Sequence, residues 1–359
     1  MDLAVAPPRG AMQNKPTSFD IAYLAGVSQP TVSRALRGSP AVNPETRRKI
    51  EAIARQLNYK VDKNASNLRF QHSNTLALLL FEDPSPDDSG INPFFLNMLG
   101  SITRACARRG YDLLVSFQQL SGDWHKDYED SRKADGLILL GYGDYLDYVS
   151  RLELLVAQDT HFVRWGAVMP GQPGLSVGCD NFHGGEQATA HLTGLGRKRI
   201  AFIGRVDENC PEFRERHRGY CAALAAAGLE ADPALRMDAN SAELDGLSAV
   251  RMLLERGARF DGVVAASDLI AIGALRALQE RGIAVPADVS IVGYDDIAAA
   301  SLTNPPLTTV MQDTRRAGDA LVDTLIRLVH EEPAEGQMLP TRLIVRRSCG
   351  AVPVSSPAP

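Results

Sequence analysis

The chain has 359 residues, of which 45% are hydrophobic and 23% charged, with a formal net charge of −5. That length exceeds one ordinary domain, so two or three are expected. The apolar content is ordinary for a globular protein, and no window has the length of uninterrupted apolar residues that a membrane-spanning helix needs, so no membrane partner is expected. Residues 1–16 contain no apolar signal region and read as a flexible tail. Cys106, Cys179, Cys210, Cys221 and Cys349 are scattered and lack any C-x-x-C pair. This argues against a disulfide framework or a structural zinc and for a reducing, cytoplasmic setting.

The net charge divides unevenly along the chain. Residues 1–70 carry eleven Lys or Arg against five acids, a balance of +6, which leaves −11 for the remainder. A small basic head on a larger acidic body is expected where only the head meets a polyanion.

The head, residues 17–60, reads as three short helices. Thr17 and Asp20 have capping-box spacing before a helix that presents Ile21, Leu24 and Ala25 on one face. Gly26 stops it, and Val27 is placed to tuck inward. Ser28 is the next cap, with Pro30 tolerated in the first turn of a helix running to Leu36. Val32 and Leu36 face its core, while Gln29, Pro30, Ser33, Arg34 and Arg37 face solvent. Asn43-Pro44 opens a third helix, followed by Ile50, Ile53, Ala54 and Leu57 at i, i+3, i+4 and i+7. Two helices about a glycine-containing turn plus a third describe a helix-turn-helix, whose second helix is short enough to enter a major groove. Arg34 has the fork that matches guanine O6 and N7, Gln29 suits adenine or a phosphate, and the capped helix starts suit phosphates.

From Thr75 onward, apolar runs alternate with amphipathic helices. The strands expected are Leu76–Phe81, Asp112–Val115, Asp135–Leu140, Phe162–Trp165, Arg199–Gly204, Gly262–Ala266, Val289–Gly293 and 341–347. The helices are 93–109, 184–195, 213–227, 268–281 and 315–330. This rhythm implies parallel sheets covered by helices, divided into two lobes over residues 75–347, with a disordered tail at 348–359. Ligands in such sheets sit outside the carboxyl ends of strands. Ser267 and Asp268 follow one strand, Asp295 follows another, and Arg216 is expected in the first turn of the helix after strand 199–204. Read from spacing alone, Arg216 also suits a surface ion pair with Glu212, and Asp295 a loop cap. Trp165 suits either a ring that stacks on a sugar face or a core residue.

The run L-A-G-V-S-Q-P-T-V-S-R-A-L-R-G-S-P at 24–40, with E-T-R-R-K-I at 45–50, closely resembles the lactose/galactose repressor (LacI/GalR) family. The body resembles that family's two-lobed, periplasmic-binding-protein-like sensor through N-P-F-F at 92–95, D-G-L-I-L-L at 135–140, V-G-C-D-N at 177–181, R-I-A-F-I-G at 199–204, S-D-L-I-A-I-G-A at 267–274 and V-G-Y-D-D at 292–296. The resemblance implies an all-α DNA-binding head joined to an α/β effector domain with parallel sheets. Gln29, Pro30 and Arg34 would read bases, while Thr17, Phe19, Ser28, Thr31, Ser33, Asn43 and Thr46 hold the backbone. Residues 61–74 resemble the family's hinge, and Leu68 falls where an apolar side chain wedges into the minor groove, a device that unstacks a base step and bends DNA. Leu68 also suits a linker anchor. Arg216 and Asp295 align with effector-contacting residues, and Phe81, Phe94, Trp165, Ser267 and Asp268 complete the expected set. At 164–167 this chain has R-W-G-A where many relatives carry an acid and an arginine, and Glu82–Ile91 is an insertion at the cleft mouth.

The resemblance therefore implies a homodimeric repressor of a pseudo-palindromic operator in double-stranded DNA, controlled by a small-molecule effector, a sugar, bound between the lobes. No cofactor or metal is expected. No G-x-x-x-x-G-K, H-E-x-x-H or G-x-S-x-G occurs, and the seven histidines lack ligand spacing, so no enzyme is expected.

Overall fold

The computed structural model describes residues 16–36, 38–59, 73–81, 91–117, 122–141 and 145–351. The chain forms two compact units, residues 1–73 and 74–359.

In the first unit, helices α1 (Ser18–Ala25), α2 (Gln29–Leu36) and α3 (Pro44–Gln56) enclose a small core of Ile21, Ala22, Ala25, Val32, Ala35, Val42, Ile50 and Ala54. Thr17 and Asp20 make the expected reciprocal capping box, with the Thr17 amide donating to Asp20 Oδ2 at 2.7 Å. Gly26 closes α1 at φ 71°, a left-handed conformation that glycine adopts without cost. Asn43 caps α3 by accepting from the Glu45 amide at 2.8 Å. Leu24, expected in the core, is exposed; the turn to Gly26 places Ala22 inward instead. Val27 and Leu36 pack against the core edge as expected.

The second unit holds two six-stranded sheets. The first has the order β11-β5-β4-β3-β1-β2 and contains β1 (Thr75–Leu80), β2 (Asp112–Phe117), β3 (Gly136–Leu140), β4 (Phe162–Trp165), β5 (Leu175–Cys179) and β11 (Gln337–Leu339). The second has the order β12-β10-β9-β8-β6-β7 and contains β6 (Ile200–Ile203), β7 (Arg236–Met237), β8 (Gly262–Ala265), β9 (Ser290–Asp295), β10 (Thr308–Gln312) and β12 (Thr341–Ile344). All pairings are parallel except β10 with β12, which is antiparallel with Val310 opposite Leu343. The sequence pattern implied wholly parallel sheets. The exception arises because Pro340 alone separates β11 from β12, so the chain passes straight from one sheet to the edge of the other.

Apart from the exposed edge strand β2, the larger strands of each sheet are covered on both faces, which is why they read as continuous apolar runs rather than alternating ones. Leu76, Leu78 and Leu80 of β1 face α4 (Pro93–Arg108) and α10 (Thr314–Val329), while Ala77 and Leu79 face α5 (Tyr145–Ala157). The second sheet is covered by α6 (Asn181–Gly194), α7 (Pro211–Ala226), α8 (Glu243–Glu255) and α9 (Asp268–Glu280). Among the described residues the chain crosses between the lobes three times, around residues 180, 313 and 340, as the resemblance implies.

The expected tail at 348–359 begins too early. Ser348 and Cys349 are buried, and the Ser348 hydroxyl donates to the Ile291 carbonyl at 2.6 Å and accepts from the Thr308 amide at 2.8 Å. The hydroxyl thereby bridges the neighbouring strands β9 and β10 of the second sheet, a role that a small polar residue near a Pro/Ser-rich terminus does not advertise. Of the hinge, residues 60–72 lie outside the described residues, so Leu68 does too; the same is true of Glu82–Gly90 and Arg37.

Candidate functional site

On the head, the base-reading candidates occupy α2. Gln29 and Ser33 lie one turn apart, as do Pro30 and Arg34, so the four share an outward face. Arg34 and Pro30 are exposed. Gln29 Nε2 donates to Ser18 Oγ at 3.2 Å, tying the start of α2 to the start of α1. The Ser28 and Thr31 hydroxyls lie 2.9 Å apart across the first turn. Thr17 and Asn43 serve as caps, and Thr46 and Ser33 are half-buried. Phe19 is 71% exposed and Tyr23, one turn on, 87% exposed. Tyr23 was not singled out from the sequence, although the i, i+4 aromatic spacing was visible. Two of the head's cations are engaged internally: Lys49 Nζ donates to the Ala25 carbonyl at 3.0 Å, and Arg47 Nη2 to the Ser39 carbonyl at 2.5 Å. The first satisfies the last carbonyl of α1, and the second ties α3 to the loop that follows α2.

In the second unit, the expected effector residues separate into two groups. Phe81 and Trp165 line a small cavity, open in part to solvent, together with Gly141, Tyr145, Tyr148, Arg164 and Glu212. It sits where β1, β3 and β4 end, the position that chain direction favours in parallel sheets. Gly141 has φ 150°, and a Cβ there would lie 2.6 Å from Phe81 Cβ, so the wall requires glycine at this point. Arg164 is 7% exposed; Nη2 donates to the Ala167 carbonyl at 3.3 Å and to Gln172 Oε1, and its guanidinium lies 5.1 Å from the Tyr145 ring centroid. Burial draws its pKa down, opposed by the charge of Glu212. Glu212 enters from the second lobe and accepts from the Ala167 amide of the first at 2.8 Å. Tyr145, Tyr148, Arg164 and Glu212 were missed as site residues, although R-W-G-A at 164–167 had marked the strand end as individual.

Arg216, Ser267, Asp268 and Asp295 form the second group, in the second lobe, and none of them lines that cavity. Arg216 is in the second turn of α7, not the first, because Pro211 starts the helix. It is 1% exposed, which replaces the surface ion pair with Glu212. Its Nε donates to Asn181 Oδ1 at 2.9 Å and its Nη1 to the Ala266 carbonyl, while Nη1 lies 3.9 Å from Asp295 Oδ1. The guanidinium lies over the Tyr294 ring at 3.7 Å. Asp295 accepts from Gln312 Nε2 at 2.6 Å and has φ 115°, a strained conformation for a non-glycine residue of the kind that collects at functional sites. Burial pushes its pKa up to about 7, against the pull of Arg216 and Gln312. Asp268 is fully buried, accepts from Thr309 Oγ1 at 2.6 Å and the Ile297 amide at 2.9 Å, and is pushed well up by burial and then by Asp295. Ser267 caps α9, its hydroxyl accepting from the Ile270 amide at 3.3 Å. Phe94 is buried, its ring 6.0 Å from that of Trp165, and supports the cavity wall from behind rather than lining it. Trp165 is 5% exposed, as a core residue is, and also lies at the cavity edge. No group of His, Cys, Asp and Glu able to hold a metal occurs among the described residues. No helix among them is long and apolar enough to cross a membrane.

Comparisons with known proteins agree with this fold. Residues 19–62 match the family described as bacterial regulatory proteins, lacI family, and residues 189–349 match the periplasmic binding protein-like domain. The chain is 33% identical to the HTH-type transcriptional regulator CelR of Thermobifida fusca, over 94% of this chain and 99% of that protein. It is 30% identical to the ribose operon repressor of Escherichia coli K12, over 90% and 96% respectively. Among solved structures, it is similar to a CelR–cellobiose complex, with TM-score 0.69 and 32% identity over 93% of this chain and 99% of that one. It is also similar to the Lac repressor dimer bound to operator and the anti-inducer ONPF, with TM-score 0.81 and 26% identity over 94% and 100%.

Proposed function

The chain belongs to the LacI family of bacterial regulatory proteins and is a DNA-binding transcriptional regulator, and on that premise we propose that it represses transcription as a homodimer whose operator affinity is set by a carbohydrate bound between its lobes. Gln29, Pro30 and Arg34 on the outward face of α2 read base edges; the capped helix starts at Thr17, Ser28 and Asn43, with Phe19, Thr31, Ser33 and Thr46, hold the backbone. Two identical readers in a dimer call for a pseudo-palindromic operator, and Leu68 in the hinge wedges its centre.

The observation that carries the effector reading is that groups from both lobes meet at one cavity: Arg164 and Trp165 from the first, Glu212 from the second. Aromatic rings complement the apolar face of a sugar ring, while a guanidinium and a carboxylate grip hydroxyls as donor and acceptor. Arg216 and Asp295, with Asp268 and Ser267 behind them, form the deeper part of the site, reached when the lobes part. The relative with cellobiose bound supports the ligand class. Control requires the ligand to favour one lobe arrangement over the other, since equal affinity shifts nothing. The test is a titration of selected operator DNA by fluorescence anisotropy with and without candidate sugars. A ligand-dependent change in affinity that Arg216→Ala and Asp295→Asn abolish, with DNA binding itself intact, is expected. A normal response in both variants contradicts the assignment of the deeper site.

A further inference from the structure

Arg164 is an unusual occupant of a strand end. It is nine-tenths buried, yet among the described residues no carboxylate lies within ion-pairing distance of it. Both of its hydrogen bonds leave from Nη2 and end on neutral oxygens, the Ala167 carbonyl and the Gln172 side chain. Nε has no partner at all. The face of the guanidinium is covered by the Tyr145 ring. An arginine cannot shed its proton to escape this situation, and a buried cation without an anion is costly. The nearest acid, Glu212, has Oε1 engaged by the Ala167 amide, so it lends charge from a distance rather than a paired contact. The remaining side of Arg164 borders the aromatic cavity.

We propose that the missing anion belongs to the effector: the ligand is an acidic sugar whose oxyanion seats on Arg164 while its ring lies among Phe81, Tyr145, Tyr148 and Trp165. A guanidinium presents two parallel N–H donors, which match a carboxylate or a phosphate in the same fork geometry. Hydroxyls elsewhere on the ring donate to Glu212, whose carboxylate is an acceptor only. This inference rests on the reading of the cavity as the effector site, and it narrows that reading from carbohydrates in general to anionic ones.

Isothermal titration of the full-length protein tests it, using glucose and cellobiose as neutral probes, glucuronate and cellobionate as carboxylates, and glucose 6-phosphate as a phosphate. At least one anionic probe should bind about ten- to a hundredfold more tightly than its neutral counterpart, the advantage of a charge-assisted paired contact. The carboxylate and phosphate arms decide which oxyanion is meant. Arg164→Gln should erase the preference, Arg164→Lys should keep part of it, and Glu212→Gln should increase it by removing a like charge. A cooperative urea transition with the parent's slope verifies the folding of each variant. Neutral sugars that bind as tightly as the acids, or a preference that survives in Arg164→Gln, overturn the inference while leaving the cavity as the effector site. An acid that binds through Arg164 without altering operator affinity upholds the inference and refutes regulation through this cavity.

Discussion

Glu212 of the second lobe and the Ala167 amide of the first are joined at 2.8 Å, directly beside the cavity they help to enclose. Further polar ties among the described residues cross the same divide, including one from the Tyr145 amide to the Asn209 carbonyl at 3.0 Å and one from Asn92 Nδ2 to Ser241 Oγ at 3.1 Å. A ligand that competes for Glu212 therefore acts on the contact that sets the lobe angle. On the proposed function this is a short physical route from occupancy to conformation, because the group proposed to meet the ligand also bridges the lobes.

Glu212→Ala removes the acceptor and leaves the Ala167 amide without its partner. A loss of about 1–3 kcal/mol is expected, the cost of a buried donor left unsatisfied. Urea denaturation should show a lower midpoint with an unchanged slope. An unchanged midpoint means that water replaces the carboxylate and that the bridge contributes nothing.

Asp295 gives the protein a distinctive dependence on pH. Its pKa is raised from 3.8 to about 7 in the folded state, chiefly by burial, so the native protein holds a proton that the unfolded chain releases. That contribution to stability is full below about pH 4 and is lost as pH rises through about 7. Asp268, raised in the same direction, adds to it. Asp295→Asn keeps the shape and the buried setting but cannot ionise. Its stability relative to the parent should therefore rise between pH 4 and pH 7. A difference that stays flat over this window shows that Asp295 is ionised throughout.

The head and the body were legible in the sequence for different reasons. Caps and breakers are local, so Thr17, Gly26 and Asn43 announced the helix ends correctly. Leu24 was misplaced because a two-turn helix that ends in a left-handed glycine leaves little room for periodicity to choose between Ala22 and Leu24. Strand runs in a sheet covered on both faces stand out as apolar segments, so most strands of the body could be found. The cavity was much less visible. Tyr145, Tyr148 and Glu212 come together only through the packing of α5 and the meeting of two lobes, and no spacing along the chain encodes that. Ser348 and Cys349 resemble the tail that follows them, and only their hydrogen bonds to β9 and β10 reveal their role.

For DNA recognition, Arg34→Ala should cost roughly 1–3 kcal/mol of discrimination at one base pair, the worth of a bidentate contact to guanine. Binding to a panel of single-base operator variants measures it. Weakening that is uniform across the panel places Arg34 on the backbone instead.

Leu68 falls in the segment proposed as the hinge, and its proposed role as a wedge has a separate test. Leu68→Ala should reduce operator bending, since an apolar side chain between base steps is what kinks the duplex. Bending measured by gel phasing should fall in the variant. An equal bend in both proteins assigns Leu68 to the linker.

The most direct measurement of the whole account is the affinity of the full-length protein for a duplex recovered by random-oligonucleotide selection, against a scrambled duplex, at moderate salt. Preference for the selected duplex by a factor of roughly 10^3 or more, altered by the cavity ligand, is the expected result. Equal affinity for both duplexes contradicts it.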